Sequence, residues 1–325
     1  MAAGLQAAAP KPADTEEAAR LQIFLDRMNF SPGKIDGHYG AFTLKALALY
    51  RESIGEQQAA EAPGKKHEKR GAKPNVEGLD LGSVNPVFID YTVTDEDVQS
   101  AGELPRAIPQ QAKLKWLPYQ NVAEAVAEKF HCDQGYFAKL NPGKTSALKT
   151  GDQVRVPNVP PFDLASVKEA AEKDRAAAKE KAPPKESSPP SSLSVKVDIK
   201  TNMLQVRDGE KLVAAYPVTV GSKQTESPIG DWVVKEITRL PFFRYDEMML
   251  NHGERSSNFY NLAPGPNNLV GVVWIALNKK GIGLHGTSEP DSIGRSASHG
   301  CVRLANWDAA RLAERLTPGV PVSIH

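Results

Sequence analysis

The chain of 325 residues carries 40 Lys and Arg against 39 Asp and Glu, and a formal net charge of +1 excludes a strong electrostatic case for nucleic acid. A hydrophobic fraction of 40% and a charged fraction of 24% describe ordinary soluble globular protein, of a length that suggests two or three domains. No run of about 18 apolar residues occurs, so no transmembrane helix is expected. The opening Met1-Ala2-Ala3-Gly4-Leu5-Gln6-Ala7 lacks the basic and long apolar regions of a signal peptide, which reads as a cytosolic chain or as a mature form with an added Met1.

Residues 14–53 read as a small helical domain. Ala18, Leu21, Leu25 and Met28 recur at helical spacing, with Asp14 and Glu17 as an N-cap pair. Ser31-Pro32-Gly33 and Asp36-Gly37 signal turns, and Leu44, Leu47 and Ala48 begin a second apolar stripe. In order along the chain, Leu21-Gln22, Ile35-Asp36-Gly37, Tyr39-Gly40, Thr43 and Ala46-Leu47 resemble the peptidoglycan-binding-like helical domain. The resemblance implies a cell-wall partner; a helical hairpin without a binding role fits the residues as well. Residues 54–84, with Lys65-Lys66-His67-Glu68-Lys69-Arg70, read as a solvated linker whose basic run would suit anionic wall polymers if it binds at all.

In residues 85–160 a strand is expected over Val87–Val93, a helix with Val122, Val126 and Phe130 on one face, and a second helix bearing Tyr136, Phe137 and Leu140 and stopped by Asn141-Pro142-Gly143. Gly151-Asp152 then turns into the strand Gln153–Pro157. This β-α-α-β order resembles a LysM module, most closely through Leu140-Asn141-Pro142, Gly151-Asp152 and Val156-Pro157. No Gly-Asp-Thr-Leu follows Tyr91-Thr92-Val93, and residues 98–120 look like an insertion, so glycan binding and a role as spacer both stay open. Cys132, between His131 and Asp133, reads as a partly buried small residue with no role, and its pairing with Cys301 is not expected. Residues 161–193 read as an exposed, ion-pair-laced helix, with Lys168, Glu169, Glu172 and Lys173 among alanines, followed by a Pro/Ser-rich tether that spaces the last domain from the others.

From 194 to 325 the pattern changes to strands. Val195, Val197 and Ile199 alternate with polar residues; Leu204–Val206, Leu212–Tyr216, Trp232–Val234 and Val272–Leu277 continue in the same style. Ala309, Leu312, Ala313 and Leu316 mark a late helix, capped by Asn306 and stopped by Pro318-Gly319. The fold class expected is multidomain α+β: a mainly-β C-terminal sheet or sandwich, a small helical N-terminal domain and the β-α-α-β middle module.

The chemistry concentrates in Ser298-His299-Gly300-Cys301-Val302-Arg303, with Leu284-His285-Gly286-Thr287 upstream. A thiol near neutral pH is mostly protonated, so a nucleophilic Cys301 needs a base, and His285 at a strand end is the candidate. Gly300 permits a tight turn that exposes the N–H groups of residues 300 and 301 to an oxyanion, with His299 shaping that loop or pocket. Arg303 could fork onto a substrate carboxylate or bond to a neighbouring loop. The aromatic stretch 240–262, with Phe243 and Tyr245, reads as a substrate lid or a satellite core. A zinc site built on His285, His299 and Cys301 would need His252 or Asp291 to complete it and is the weaker reading. No metal or other cofactor is expected.

His285-Gly286-Thr287, Ile293-Gly294-Arg295 and Ser298–Arg303, together with Ser227–Trp232 and Pro264–Asn268, resemble the signature blocks of L,D-transpeptidase (YkuD-like) catalytic domains; Leu269 replaces a frequent proline. The resemblance implies that the Gly286 carbonyl orients the His285 imidazole, and that Ser298, Thr287 and Arg303 contact substrate with Phe243 and Tyr245. It implies a transferase of cell-wall biogenesis and cell shape, in which Cys301 displaces D-alanine from a peptidoglycan tetrapeptide, forms a thioester and passes the acyl group to an amine in a 3→3 cross-link. Carbapenems are the implied inhibitors, and the periplasm or cell wall the implied location, in line with a mature form. The same site with water or a protein lysine as acceptor would be a carboxypeptidase or an anchoring enzyme. An inactive wall-binding scaffold and a general cysteine protease are the readings from other classes.

Overall fold

A computed structural model describes residues 12–56, 73–179, 192–221, 229–295 and 300–325. The first apolar stripe folds as helix α1 (Pro12–Arg27), which buries Ala18, Leu21 and Leu25. Two details differ from expectation. The helix starts at Pro12, so Asp14 lies within its first turn rather than at its cap. Met28 falls past its end and is 39% exposed, because Asn29 leaves the helix with a φ of 65°. Gln22, fully buried, accepts the N–H groups of Asp36 (3.1 Å) and Gly37 (2.9 Å) and donates to Asp36 Oδ1 (2.8 Å), pinning the turn that leads to helix α2 (Ala41–Ser53).

The middle module pairs strand β1 (Phe88–Thr92) through α3 (Asp95–Ser100), α4 (Ile108–Gln111), α5 (Val122–Lys129) and α6 (Gln134–Leu140) with an antiparallel strand β2 (Gln153–Pro157). Side-chain oxygens cap the helices where the sequence supplies them: Thr94 and Asp97 form a capping box on α3, Asn121 caps α5 and Asp133 caps α6. Residues 84 and 83, at the end of the expected linker, are tied down, since Arg20 donates to the Val84 carbonyl and Arg27 to the Ser83 carbonyl.

Helix α7 (Leu164–Lys179) is exposed along most of its length and pairs Glu169 with Lys173, as expected, but it also docks on the C-terminal domain. Val167 and Ala171 are buried in the core of the C-terminal domain, Arg175 donates to the Leu240 carbonyl (3.3 Å), and Asp174 pairs with Arg239 at 2.8 Å.

The C-terminal domain then lays down β3 (Leu193–Asp198), β4 (Met203–Asp208), β5 (Lys211–Pro217), β6 (Gly230–Arg239), the small hairpin of β7 (Phe243–Tyr245), α8 (Glu247–His252) and β8 (Tyr260–Leu262), then β9 (Val273–Leu277), β10 (Gly283–His285), β11 (Val302–Arg303), α9 (Asn306–Arg315) and β12 (Pro321–Ile324). Eight of these strands form one mixed sheet in the order β11-β10-β9-β6-β12-β3-β4-β5, antiparallel except at β10/β11 and β12/β3. Its two ends meet. Thr219, just past β5, exchanges two backbone bonds of 2.9 Å with Arg303 of β11, so the sheet curls onto itself around a core containing Tyr216, Ile275, Leu304 and Trp307.

The modules are not held apart. Met203, Leu212 and Ala215 of the C-terminal sheet share one apolar cluster with Leu25, Phe30 and Ile35 of the N-terminal module and Phe130 of the middle module. The stretch 98–120 docks by Leu117, whose N–H donates to the Pro264 carbonyl (2.9 Å) and whose carbonyl accepts from Asn267 (3.3 Å). At the three-way junction Asp26 of α1, fully buried, accepts two bonds from Arg311 of α9 (2.9 and 3.2 Å) and lies 3.0 Å from His131 Nδ1, whose ring stacks on Trp307. Burial pushes the Asp26 carboxyl up; His131 and Arg311 more than reverse this and hold it below the usual carboxylate range. Arg311→Ala leaves that buried carboxylate without its guanidinium, and a loss of about 3–5 kcal/mol in unfolding free energy is expected from denaturant titration. A loss below about 1 kcal/mol would show that the pair adds little to the junction.

Candidate functional site

Strand β10 pairs with β11 in parallel, Leu284 beside Val302 and His285 beside Arg303. Leu284 and Val302 are fully buried in the core, so alternation puts Cys301, Arg303 and His285 on the opposite face. The half-buried Cys301 precedes β11 directly, and its Sγ lies 3.6 Å from the Gly281 carbonyl. Burial pushes its thiol up, against a backbone hydrogen bond at Gly283 and the charge of Arg303, which pull it down. The resting group is therefore a thiol near neutral pH, and a nucleophilic role would call for a base.

His285 is 5% exposed, and its Nδ1 lies 2.6 Å from the Gly286 carbonyl oxygen. A carbonyl only accepts, so Nδ1 carries the proton and Nε2 keeps its lone pair. The ring stacks on Trp274 of β9, centroids 5.3 Å apart and planes 20° from parallel. Burial carries the His285 pKa down to about 4; the bond to Gly286 opposes this and Arg303 adds to it. The imidazole is thus neutral and able to accept a proton across the physiological range. If it is the base, acylation of Cys301 should hold down to about pH 5 and be half lost near pH 4, because only the protonated imidazole fails. A half-loss near the ordinary histidine value of about 6.5, in chain that circular dichroism shows to be folded, would contradict this.

Gly300 takes a φ of 102°, a left-handed conformation that glycine alone adopts without strain, and so sets the turn into Cys301. Ser298 and His299 lie outside the described residues. Thr287 is 2% exposed and its hydroxyl accepts the Glu289 N–H (3.1 Å), which makes it part of the loop turn. Burial lowers the pKa of Arg303, against the charges of Glu289 and Cys301. Phe243 and Tyr245 sit in the separate β7/β8 hairpin, not in the sheet that carries Cys301 and His285. That hairpin is organised by Asp246, which caps α8, accepts both the N–H and the hydroxyl of Ser256 at 2.9 Å, and pairs with Arg244 at 2.7 Å. Arg244 in turn lies over the ring of Phe259, 3.9 Å from its centroid. Neither Asp246 nor Trp274 was marked by the sequence; only the aromatic composition of 240–262 hinted at the first.

The N-terminal module reaches the loop beside the site. Lys34 bridges Asp133 and Asp291, and the Phe42 ring lies against Gly294, where an added side-chain carbon would come 2.3 Å from Cζ. Gly294 donates its N–H to Thr219 Oγ1 (2.8 Å), and Thr219 is the residue paired with Arg303. Asn306 also differs from expectation. Ala305 is the N-cap of α9, and the Asn306 side chain leaves the helix to accept the Val272 N–H (3.1 Å) and donate to the Pro266 carbonyl (3.1 Å). Among the described residues no three His, Cys, Asp or Glu side chains gather as metal ligands would.

Residues 193–324 match the YkuD family model, the L,D-transpeptidase catalytic domain. Over 130 residues the chain is 32% identical to the putative L,D-transpeptidase YkuD of Bacillus licheniformis, covering 40% of this chain and 64% of that protein. It is 23% identical over 202 residues to the putative L,D-transpeptidase YkuD of Bacillus subtilis, covering 62% of this chain and 92% of that one. Among solved structures, an L,D-transpeptidase from Mycobacterium smegmatis is similar over 42% of this chain and 59% of its own, at 19% identity and a TM-score of 0.34. The chain therefore spans 64% of the length of the first of these relatives.

Proposed function

We propose, from the premise that residues 193–324 form a YkuD-like L,D-transpeptidase catalytic domain, that the chain is a cysteine acyltransferase of peptidoglycan stem peptides. The observation that carries the reading is the His285 Nδ1 bond to the Gly286 carbonyl. It leaves a neutral Nε2 as base on the sheet face that bears Cys301.

In this mechanism Nε2 takes the Cys301 proton and the sulfur attacks the carbonyl of the third, diamino acid residue of a tetrapeptide. The oxyanion is met by the N–H groups of Gly300 and Cys301, and His299, which precedes Gly300 in sequence, is assigned to shaping that pocket. Collapse returns the proton to the departing amine, releases D-alanine and leaves a thioester on Cys301. An acceptor amine attacks that thioester, His285 takes its proton, and expulsion of the sulfur gives a 3→3 cross-link and the free thiol. Arg303, whose charge lies on the same face, binds a substrate carboxylate. The helical and LysM-like modules supply contacts to the wall, in the periplasm or cell wall.

Incubation of the full chain with purified tetrapeptide muropeptides, followed by mass spectrometry, tests the reading. Dimers with loss of one D-alanine are the expected product. Tripeptides alone would assign water as acceptor, and adducts on protein lysines an anchoring role. A carbapenem, whose ring opens on thiolate attack, is expected to add its mass to the peptide containing Cys301. No product and no adduct would defeat the proposal.

A further inference from the structure

Asn306 stands directly behind the peptide that orients His285. A side-chain carbon added at Gly286 would come 2.3 Å from Asn306 Oδ1, and one added at Gly271 would come 2.1 Å from it. The amide thus fills the space beside the Gly286 Cα, the atom next to the carbonyl that accepts the Nδ1–H bond of His285. The amide itself is fixed by three bonds. Oδ1 accepts from Val272, one Nδ2 proton goes to the Pro266 carbonyl, and the other goes to Glu128 Oε1 at 2.9 Å.

Glu128 does not belong to the catalytic domain. It lies on α5 of the middle module, 7% exposed, and the same oxygen also accepts the Tyr119 hydroxyl at 2.9 Å. The preceding turn of α5 reinforces it, since Glu124 accepts from Asn267 Nδ2 (3.1 Å), and Asn267 also donates to the Pro118 carbonyl (2.9 Å). A buried acceptor placed against a buried amide that has no slack is a positioning device, because a buried N–H left without a partner forces the group to turn.

We propose that Glu128, contributed by the middle module, is a positioning residue of the active site: through Asn306 it fixes the Gly286 carbonyl, and so the tautomer and orientation of His285. The middle module on this view completes the catalytic site instead of only standing beside it. The inference rests on the reading of His285 as the base.

The test uses the full chain with Glu128→Gln, Glu128→Met and His285→Ala. Gln keeps an acceptor oxygen, whereas Met keeps the volume and removes it. The first readout is the downfield proton resonance of the His285 Nδ1–H, assigned by its absence in His285→Ala. The second is the rate of Cys301 alkylation by iodoacetamide against pH, located by peptide mass mapping. Glu128→Met is expected to shift or broaden the resonance and to slow alkylation at pH 7 by about tenfold, and Glu128→Gln to restore both. If Glu128→Met does not fold, the same readouts on Glu128→Ala replace it, with the same expectation. An unchanged resonance in the acceptor-free variant would overturn the proposal, as would Gln and Met variants impaired equally and in step with their melting temperatures. Alkylation unaffected by His285→Ala would instead defeat the reading of His285 as base, while the resonance would still report whether Glu128 holds the imidazole.

Discussion

Cys301→Ala is expected to abolish D-alanine release, dimer formation and carbapenem labelling together, a fall of at least about 10⁴-fold if the thiol is the nucleophile. Its fold should survive. Cys301 is only half-buried, it stands at the mouth of β11 rather than in the core, and its bond to the Gly281 carbonyl is a long one. A melting temperature within a few degrees of the parent chain would separate lost chemistry from lost structure. Residual cross-linking in that variant would remove Cys301 from the mechanism. Cys132→Ala is the companion measurement. That thiol is 4% exposed in the cluster shared by the modules, so its replacement should cost a little stability and leave acyl transfer intact.

A fragment beginning at Leu193 is expected to be unstable and inactive, although the family match coincides almost wholly with it. Removing the front of the chain uncovers Met203 and Leu212 and takes Phe162 and Val167 out of the catalytic core. At about 1.5–3 kcal/mol for each such side chain, the loss approaches the whole margin of about 5–15 kcal/mol that a domain possesses. Arg311 and Asp308 would also lose Asp26 and Ser31, and Asn306 would lose Glu128. Thermal unfolding of the fragment beside the full chain, with carbapenem labelling as the activity readout, decides this. A fragment that melts cooperatively near the parent temperature and labels at the parent rate would show the docked modules to be dispensable.

Sequence alone marked the residues of the proposed chemistry far more clearly than the assembly. Cys301, Gly300 and His285 stand in contiguous blocks, and a strand-end histidine followed by glycine is a local pattern. Asn306 was misplaced as a cap because a capping amide and one at the first helical position differ by one residue, and nothing local tells which acceptor the amide will find. Helix α7 was read as a free spacer because its buried contact is small, Val167 and Ala171, among charged residues that do face outward. Residues 98–120 looked like an insertion because they interrupt one pattern, yet Leu117 within them is a docking point. Glu128, inside an ordinary helical stripe, carries no mark of its own. Its partner lies far away in sequence, and only the folded chain brings the two together.

The junction of Asp26 with Arg311 joins α1 to α9, the first and last helices among the described residues. A contact of such sequence separation closes a very long loop, and the entropy of that closure must be met before the contact returns anything. A ribosome or a translocation channel delivers Asp26 long before Arg311. During that interval the buried face of α1 has no final partner, and the α1 cluster also waits for Met203, Leu212 and Ala215. The assembled structure thus arises late and cooperatively, once α9 has arrived. Until then the thiol of an unfinished chain lacks the neighbours that would give it a purpose.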